Sequence, residues 1–125
     1  MDDLLDKGIE EFNTRFFFEA HDTWEELWRE TTGPDRLFLQ GLIQTAVALY
    51  HSGNGNLRGA RSQFAKALAK LEHYIPCHCG IDTADLVRQV RILLRVAEGR
   101  GEGVGAPGHV PDNPGDVRIT RRRCS

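Results

Sequence analysis

A histidine and a carboxylate one helical turn apart, His21 and Glu25, share a stretch with Phe17, Trp24 and Trp28. With His21 as the zero of a helical wheel, these aromatic residues and Glu25 fall within about 60° of it. An imidazole and a carboxylate at i and i+4 can reach one divalent ion. A third ligand from a facing helix would then leave an open coordination position. The same pair can equally form a hydrogen-bond network that fixes helix register, with Glu25 orienting the imidazole. A second polar line, Gln40, Gln44 and His51, runs with Val47 along one side of a later segment. If two helices fold back about Gly33, equal distances from the turn set Gln44 and Gln40 opposite His21 and Glu25. His51 then lies roughly 9 Å farther along the axis than His21 at 1.5 Å per residue. The candidate polar pocket is thus His21, Glu25, Gln40, Gln44 and His51, bordered by Trp24 and Trp28. The structural network is the preferred reading, and a metal held by His21, Glu25 and His51 is the sharper alternative. Trp24 and Trp28, at helical spacing, are read as core before they are read as a stacking platform.

The run His73-Tyr74-Ile75-Pro76-Cys77-His78-Cys79 offers a second ligand set. Its two cysteines and two histidines are soft and borderline donors suited to zinc, with His73, Cys77 and Cys79 as the candidate set. Their Cys-x-Cys spacing is tighter than the usual finger, and no second cysteine pair follows. His109 and Cys124 could join only if the C-terminal segment folded back. Exposed thiols in an interhelical loop are the preferred reading, and no cofactor is assigned. Arg121-Arg122-Arg123 is shorter than a nucleic-acid patch and reads as a solvated terminus. There is no P-loop, Gly-x-Gly-x-x-Gly, Gly-x-Ser-x-Gly or His-Glu-x-x-His motif.

The elements that must position these groups are helices. A chain of 125 residues allows one domain. Sixteen Lys+Arg against eighteen Asp+Glu create no basic field for nucleic acid. No apolar run reaches the roughly 18–20 residues of a membrane span. The start is acidic where a signal peptide is basic, and three cysteines close no disulfide framework, so a reducing cytoplasm is expected. Apolar residues recur at three and four, which predicts helices over about 2–13, 14–32, 34–52, 56–74 and 82–98. Gly33 stops the second helix, Pro34 starts the third, and Asn56 caps the fourth. Between Arg36 and Arg58 there is no Asp, Glu, Lys or Arg, so the third helix should be the buried centre. Gly41 on that helix would let another backbone come close. From Gly99 to Gly115 lie six of thirteen glycines and three of five prolines, too little apolar surface to order the segment. Residues 117–125 could pair as a short strand but have no sheet to join.

Phe12-Asn13, Phe17-Phe18-Glu19-Ala20-His21, Trp24-Glu25 and Trp28 resemble the first signature of the small helical family known as domain of unknown function 309. Gln40-Gly41-Leu42-Ile43-Gln44, Ala46, Ala48, Tyr50-His51, Gly55-Asn56 and Gly59-Ala60 are similar to its second. The resemblance covers about Asp2 to Leu71. It implies a compact all-α fold and self-association, and it brings no reaction or catalytic residue.

The expectation is therefore an all-α five-helix bundle around a buried third helix (residues 1–99), followed by a flexible Gly/Pro-rich tail (100–125). The expected role is a cytoplasmic, homo-oligomeric, non-catalytic interaction or scaffold module, with no membrane and no nucleic acid as partner. The rival is a small-molecule-binding or metal-dependent enzyme at the His21/Glu25/Gln44 seam with His51. Phe16, Phe17 and Phe18 point in three directions around one helix, and the least buried of them is the expected interface residue.

Overall fold

A computed structural model describes residues 2–99 and 116–124. The helices are α1 (Asp2–Asn13), α2 (Phe17–Glu30), α3 (Pro34–Gly53), α4 (Leu57–Leu71) and α5 (Thr83–Ala97), with a 3₁₀ turn at Glu72–Tyr74. Among the described residues there is no strand, and the fold is all-α as expected.

α3, free of charged side chains from Leu37 onward apart from His51, is the centre. It packs against α2 on one side and α4 on the other. Phe38, Leu39, Leu42, Ala46, Ala48 and Leu49 are buried, and a charged residue at those positions would be desolvated without a partner. Gly41 does admit a close neighbour, but that neighbour is a side chain and not the expected backbone. A Cβ there would lie 2.8 Å from the Leu71 side chain, so the missing methyl is what lets α4 approach. The α1–α2 contact uses the same device. Gly8 faces Trp24, whose ring is fully buried and whose Nε1 donates to the Leu5 carbonyl at 3.3 Å.

Two turns aim the helices. After α1, the Phe16 N–H reaches the Glu11 carbonyl (2.8 Å) and the Arg15 N–H reaches the Phe12 carbonyl (3.1 Å). This is the Schellman pattern, with Arg15 in the left-handed position at φ 76°. The cap uses up residues 14–16, so α2 starts at Phe17 rather than at Thr14. After α3 the pattern repeats: Asn56 N–H to His51 carbonyl, Gly55 N–H to Ser52 carbonyl, and Gly55 at φ 76°. Asn56 then caps α4 by accepting from the Gly59 N–H at 3.0 Å.

The expectation of a loose tail is corrected for residues 116–124. Val117 and Ile119 are buried, and the backbone between them is held by side-chain amides instead of a sheet. Gln89 Nε2 donates to the Arg118 carbonyl (2.8 Å), and its Oε1 accepts from the Arg118 N–H (3.0 Å). Asn13 treats Ile119 the same way. The Asp82 N–H donates to the Thr120 carbonyl and the Arg122 N–H to the Gly80 carbonyl, so the segment pairs with the loop before α5. Arg121, read as part of a solvated terminus, pairs with Asp6, and Arg122 lies 3.9 Å from Asp82. The expectation of exposed thiols is also corrected: Cys77 and Cys124 form a disulfide. The Gly/Pro-rich stretch through Gly115, and His109 within it, lie outside the described residues.

Candidate functional site

His21 sits on α2 with its ring 81% covered by the surrounding residues (side-chain exposure 19%). Its Nδ1 donates to the Phe18 carbonyl at 3.1 Å, since a carbonyl can only accept. Its Nε2 lies 3.3 Å from Glu25 Oε2, and Asp22 Oδ1 lies 3.6 Å from Nδ1. Glu25 is 38% exposed and also meets Arg29 at 3.5 Å. The i, i+4 spacing therefore yields the expected pair, but in a setting open to water. His21, Asp22 and Glu25 offer three ligand atoms that all lie within 4.8 Å of one another.

The rest of the sequence-derived seam is dispersed. Among the described residues no hydrogen bond joins His21 or Glu25 to Gln40, Gln44 or His51. Gln44 Oε1 is buried without a hydrogen-bond partner, as is Trp28 Nε1. His51 serves the turn after α3: its Nδ1 lies 3.3 Å from Asn56 Nδ2, and its ring fills the space beside Gly59. Trp24 is core. Trp28 lies under the Arg36 guanidinium, 3.7 Å from its centroid, while Arg36 Nη1 donates to the Trp28 and Thr31 carbonyls. That cation caps the C-terminal end of α2, where unpaired carbonyls favour positive charge.

An open groove of about 640 Å³ lies elsewhere, between the α1–α2 turn and the last turn of α3. Arg15, Phe16, Phe18 and Glu19 line one side, and Tyr50 and Asn54 line the other. Phe16 is 56% exposed, Phe18 47% and Tyr50 43%, and the Phe18 and Tyr50 rings stand 5.3 Å apart. Phe17, by contrast, packs edge-on against Phe12 at 5.2 Å. Three consecutive phenylalanines signalled that some had to face outward. Nothing in the sequence put Tyr50 beside them.

A second cluster joins His78 and Cys79 of the His73–Cys79 run to Asp35, which the sequence-derived set did not include. His78 Nε2 meets Asp35 Oδ1 at 2.7 Å, and Cys79 Sγ is 3.8 Å from the same oxygen. The His73/Cys77/Cys79 grouping is not formed, because the Cys77 sulfur is bonded to Cys124. Asp35 is 43 positions from His78, so no local spacing could reveal it. Burial, followed by the Asp35 charge, raises the Tyr74 phenol above its ordinary value of 10.0.

Comparison with known proteins adds a family and no chemistry. The chain is 36% identical over 97 residues to a Bacillus subtilis (strain 168) protein bearing the name "Uncharacterized protein YpuF". The match takes in 75% of this chain and 56% of that relative, so the chain spans about half the relative's length. Asn13, His21, Glu25, Gly41 and Asn56, whose roles in caps, close contacts and the polar pair are set out above, all lie in the stretch that a known family matches. Over residues 5–63 the chain matches the family described as Domain of unknown function (DUF309).

Proposed function

We propose that this protein is a non-catalytic interaction module whose groove between the α1–α2 turn and the end of α3 receives a second copy of the same chain. The observation that carries this reading is the trio Phe16, Phe18 and Tyr50, three large rings left half in water around one groove. Exposed aromatic clusters of this kind mark docking sites in soluble proteins. The charge at the rim favours a copy over an unrelated partner. Arg15 and Glu19 carry opposite signs on one side of the groove. A two-fold axis through an isologous contact brings Arg15 of each chain against Glu19 of the partner subunit twice. We place the module in the cytoplasm, where a disulfide such as Cys77–Cys124 is the exception and not the rule.

Light scattering on the full chain, without reductant so that Cys77 and Cys124 stay paired, tests the reading. The mass should approach twice the 14.1 kDa chain mass as concentration rises through the micromolar range. Phe18→Glu should hold it at the single-chain value while the circular dichroism spectrum stays helical. A wild type that remains at the single-chain mass at high micromolar concentration contradicts the proposal.

A second reading rests on the three closely spaced ligand atoms of His21, Asp22 and Glu25. It makes the α2 face a metal-dependent or small-molecule site, with Gln44 and His51 as more distant contributors. A wild type stabilised by added manganese or zinc, with His21→Ala unresponsive, would favour it.

A further inference from the structure

We propose that Asp35, His78 and Cys79 bind a divalent cation of the zinc class, with a fourth position left for water. The three residues come from two parts of the chain, the first turn of α3 and the loop between the 3₁₀ turn and α5. Asp35 Oδ1 is 2.7 Å from His78 Nε2 and 3.8 Å from Cys79 Sγ, and no pair of the three donor atoms exceeds 4.8 Å. A tetrahedral zinc with bonds of about 2.0 Å to N and O and 2.3 Å to S separates its ligand atoms by roughly 3.3–3.6 Å. The Asp35–His78 pair must open by roughly 0.6 Å, the sulfur close on Asp35 by roughly 0.3 Å, and His78 and Cys79 close on each other by at most about 1.3 Å, which side-chain torsions supply.

The donor chemistry selects the metal. A carboxylate, a neutral imidazole and a thiolate carry a formal −2, matching a divalent ion, and the sulfur disfavours magnesium and calcium. Binding takes the proton from the Cys79 thiol and releases it to solvent.

The loop is built to hold the donors in place. His78 and Ile81 exchange both backbone hydrogen bonds, at 3.1 and 2.9 Å. The two residues between them, Cys79 and Gly80, both have positive φ, 51° and 75°. That is the type I′ hairpin pattern, usually given to Asn and Gly, and here a cysteine occupies the first position. The His78 ring packs against both Phe38 and Tyr74, with centroids at 4.8 and 4.7 Å, and those two rings touch each other at 5.2 Å. Tyr74 in turn donates its hydroxyl to the Pro34 carbonyl at 2.6 Å, tying this wall to the start of α3. An imidazole oriented by packing and a ligand carboxylate on a helix are the supports that metal sites use.

The test uses full-length protein stripped with chelator, kept free of reductant, and titrated with cobalt(II) and then zinc. Cys77 and Cys124 are bonded to each other, so a thiolate-to-cobalt charge-transfer band can come only from Cys79. We expect one equivalent of cobalt to give that band with tetrahedral-type visible absorption, and zinc to displace it. Cys79→Ser should abolish the band, and Asp35→Asn or His78→Gln should weaken zinc binding by more than about 100-fold, beyond what loss of an outer-shell partner does. His21→Ala should leave both readouts unchanged. No band in the wild type overturns the proposal, and so does binding that survives Cys79→Ser but disappears in His21→Ala. Binding that depends on reducing the disulfide also overturns it, because the ligands would then include Cys77 or Cys124.

Discussion

Asn13, the last residue of α1, holds Ile119 through both ends of its side-chain amide. Nδ2 donates to the Ile119 carbonyl at 2.9 Å, and Oδ1 accepts from the Ile119 N–H at 2.8 Å. One helix terminus thus supplies a strand-like partner to a segment 106 positions away. Asn13→Ala leaves both backbone groups of a buried residue unpaired, which costs about 1–3 kcal/mol. Deleting everything after Gly99 removes in addition the buried Val117 and Ile119 side chains. A net loss on the order of 2 kcal/mol corresponds to a melting temperature lowered by roughly 10 °C. Thermal denaturation of the truncated chain checks this, and a shift within a few degrees would contradict the docking.

The alternation of Val117 and Ile119 was legible as a strand pattern, yet an all-α chain gave it no visible partner. The missing partners are Gln89, Asn13 and the Gly80–Asp82 loop, side-chain amides and irregular backbone that no periodicity announces. What periodicity and punctuation do encode came through. The uncharged run after Arg36 supplies most of the buried central α3, and Pro34 and Asn56 start helices where expected. The exception is the end of α2, which stops at Glu30 with Thr31 as its cap, so Gly33 precedes α3 instead of ending α2. Of the polar seam, the i, i+4 pair His21–Glu25 was legible because it lies on one helix. Gln44 and His51 depend on helix rotation and crossing angle, which the wheel alone does not supply.

Gly8 and Gly53 should respond oppositely to a single methyl. At Gly8 the new Cβ would fall on the Trp24 indole, in a contact with no slack. Overpacking of this kind costs about 1–3 kcal/mol, more than the helix propensity gained. At Gly53, the last residue of α3, nothing lies within 4 Å of the added methyl. There the lower chain entropy of alanine should stabilise by about 0.5–1 kcal/mol. Urea denaturation of Gly8→Ala and Gly53→Ala reads both signs.

For His21 and Glu25 the structure implies small effects. The carboxylate keeps access to water and a second partner in Arg29, so the pair is closer to a surface ion pair than to a buried one. Glu25→Gln should change stability by less than about 1 kcal/mol. His21→Ala should cost about 1 kcal/mol through its bond to the Phe18 carbonyl. A loss several times larger, in the presence of chelator, would show a buried network that these contacts do not describe.

Tyr74 carries a pH dependence whose direction follows from its surroundings. Burial and the nearby Asp35 raise its phenol above 10.0, so the folded state holds that proton more tightly than the unfolded chain. The resulting stability is complete below about pH 10 and is lost as pH rises through the folded value. Tyr74→Phe gives up the bond to Pro34 and should be less stable at pH 8. Above pH 10 the gap between wild type and variant should narrow. Denaturation of both, with chelator, across pH 8 to 11 decides it, and a constant or widening gap contradicts the assignment.

Charge reversal at the groove tests self-association most directly, because it leaves the aromatic rings untouched. Arg15→Glu alone and Glu19→Arg alone each set like charges against one another across a two-fold contact, which penalises the pair of chains. Sedimentation equilibrium at matched concentration should show both single variants shifted toward the 14.1 kDa species. The double variant Arg15→Glu/Glu19→Arg restores opposite signs and should recover the wild-type dimer. A double variant as dissociated as the two singles, or singles as associated as the wild type, would contradict the proposed pairing of copies through this groove.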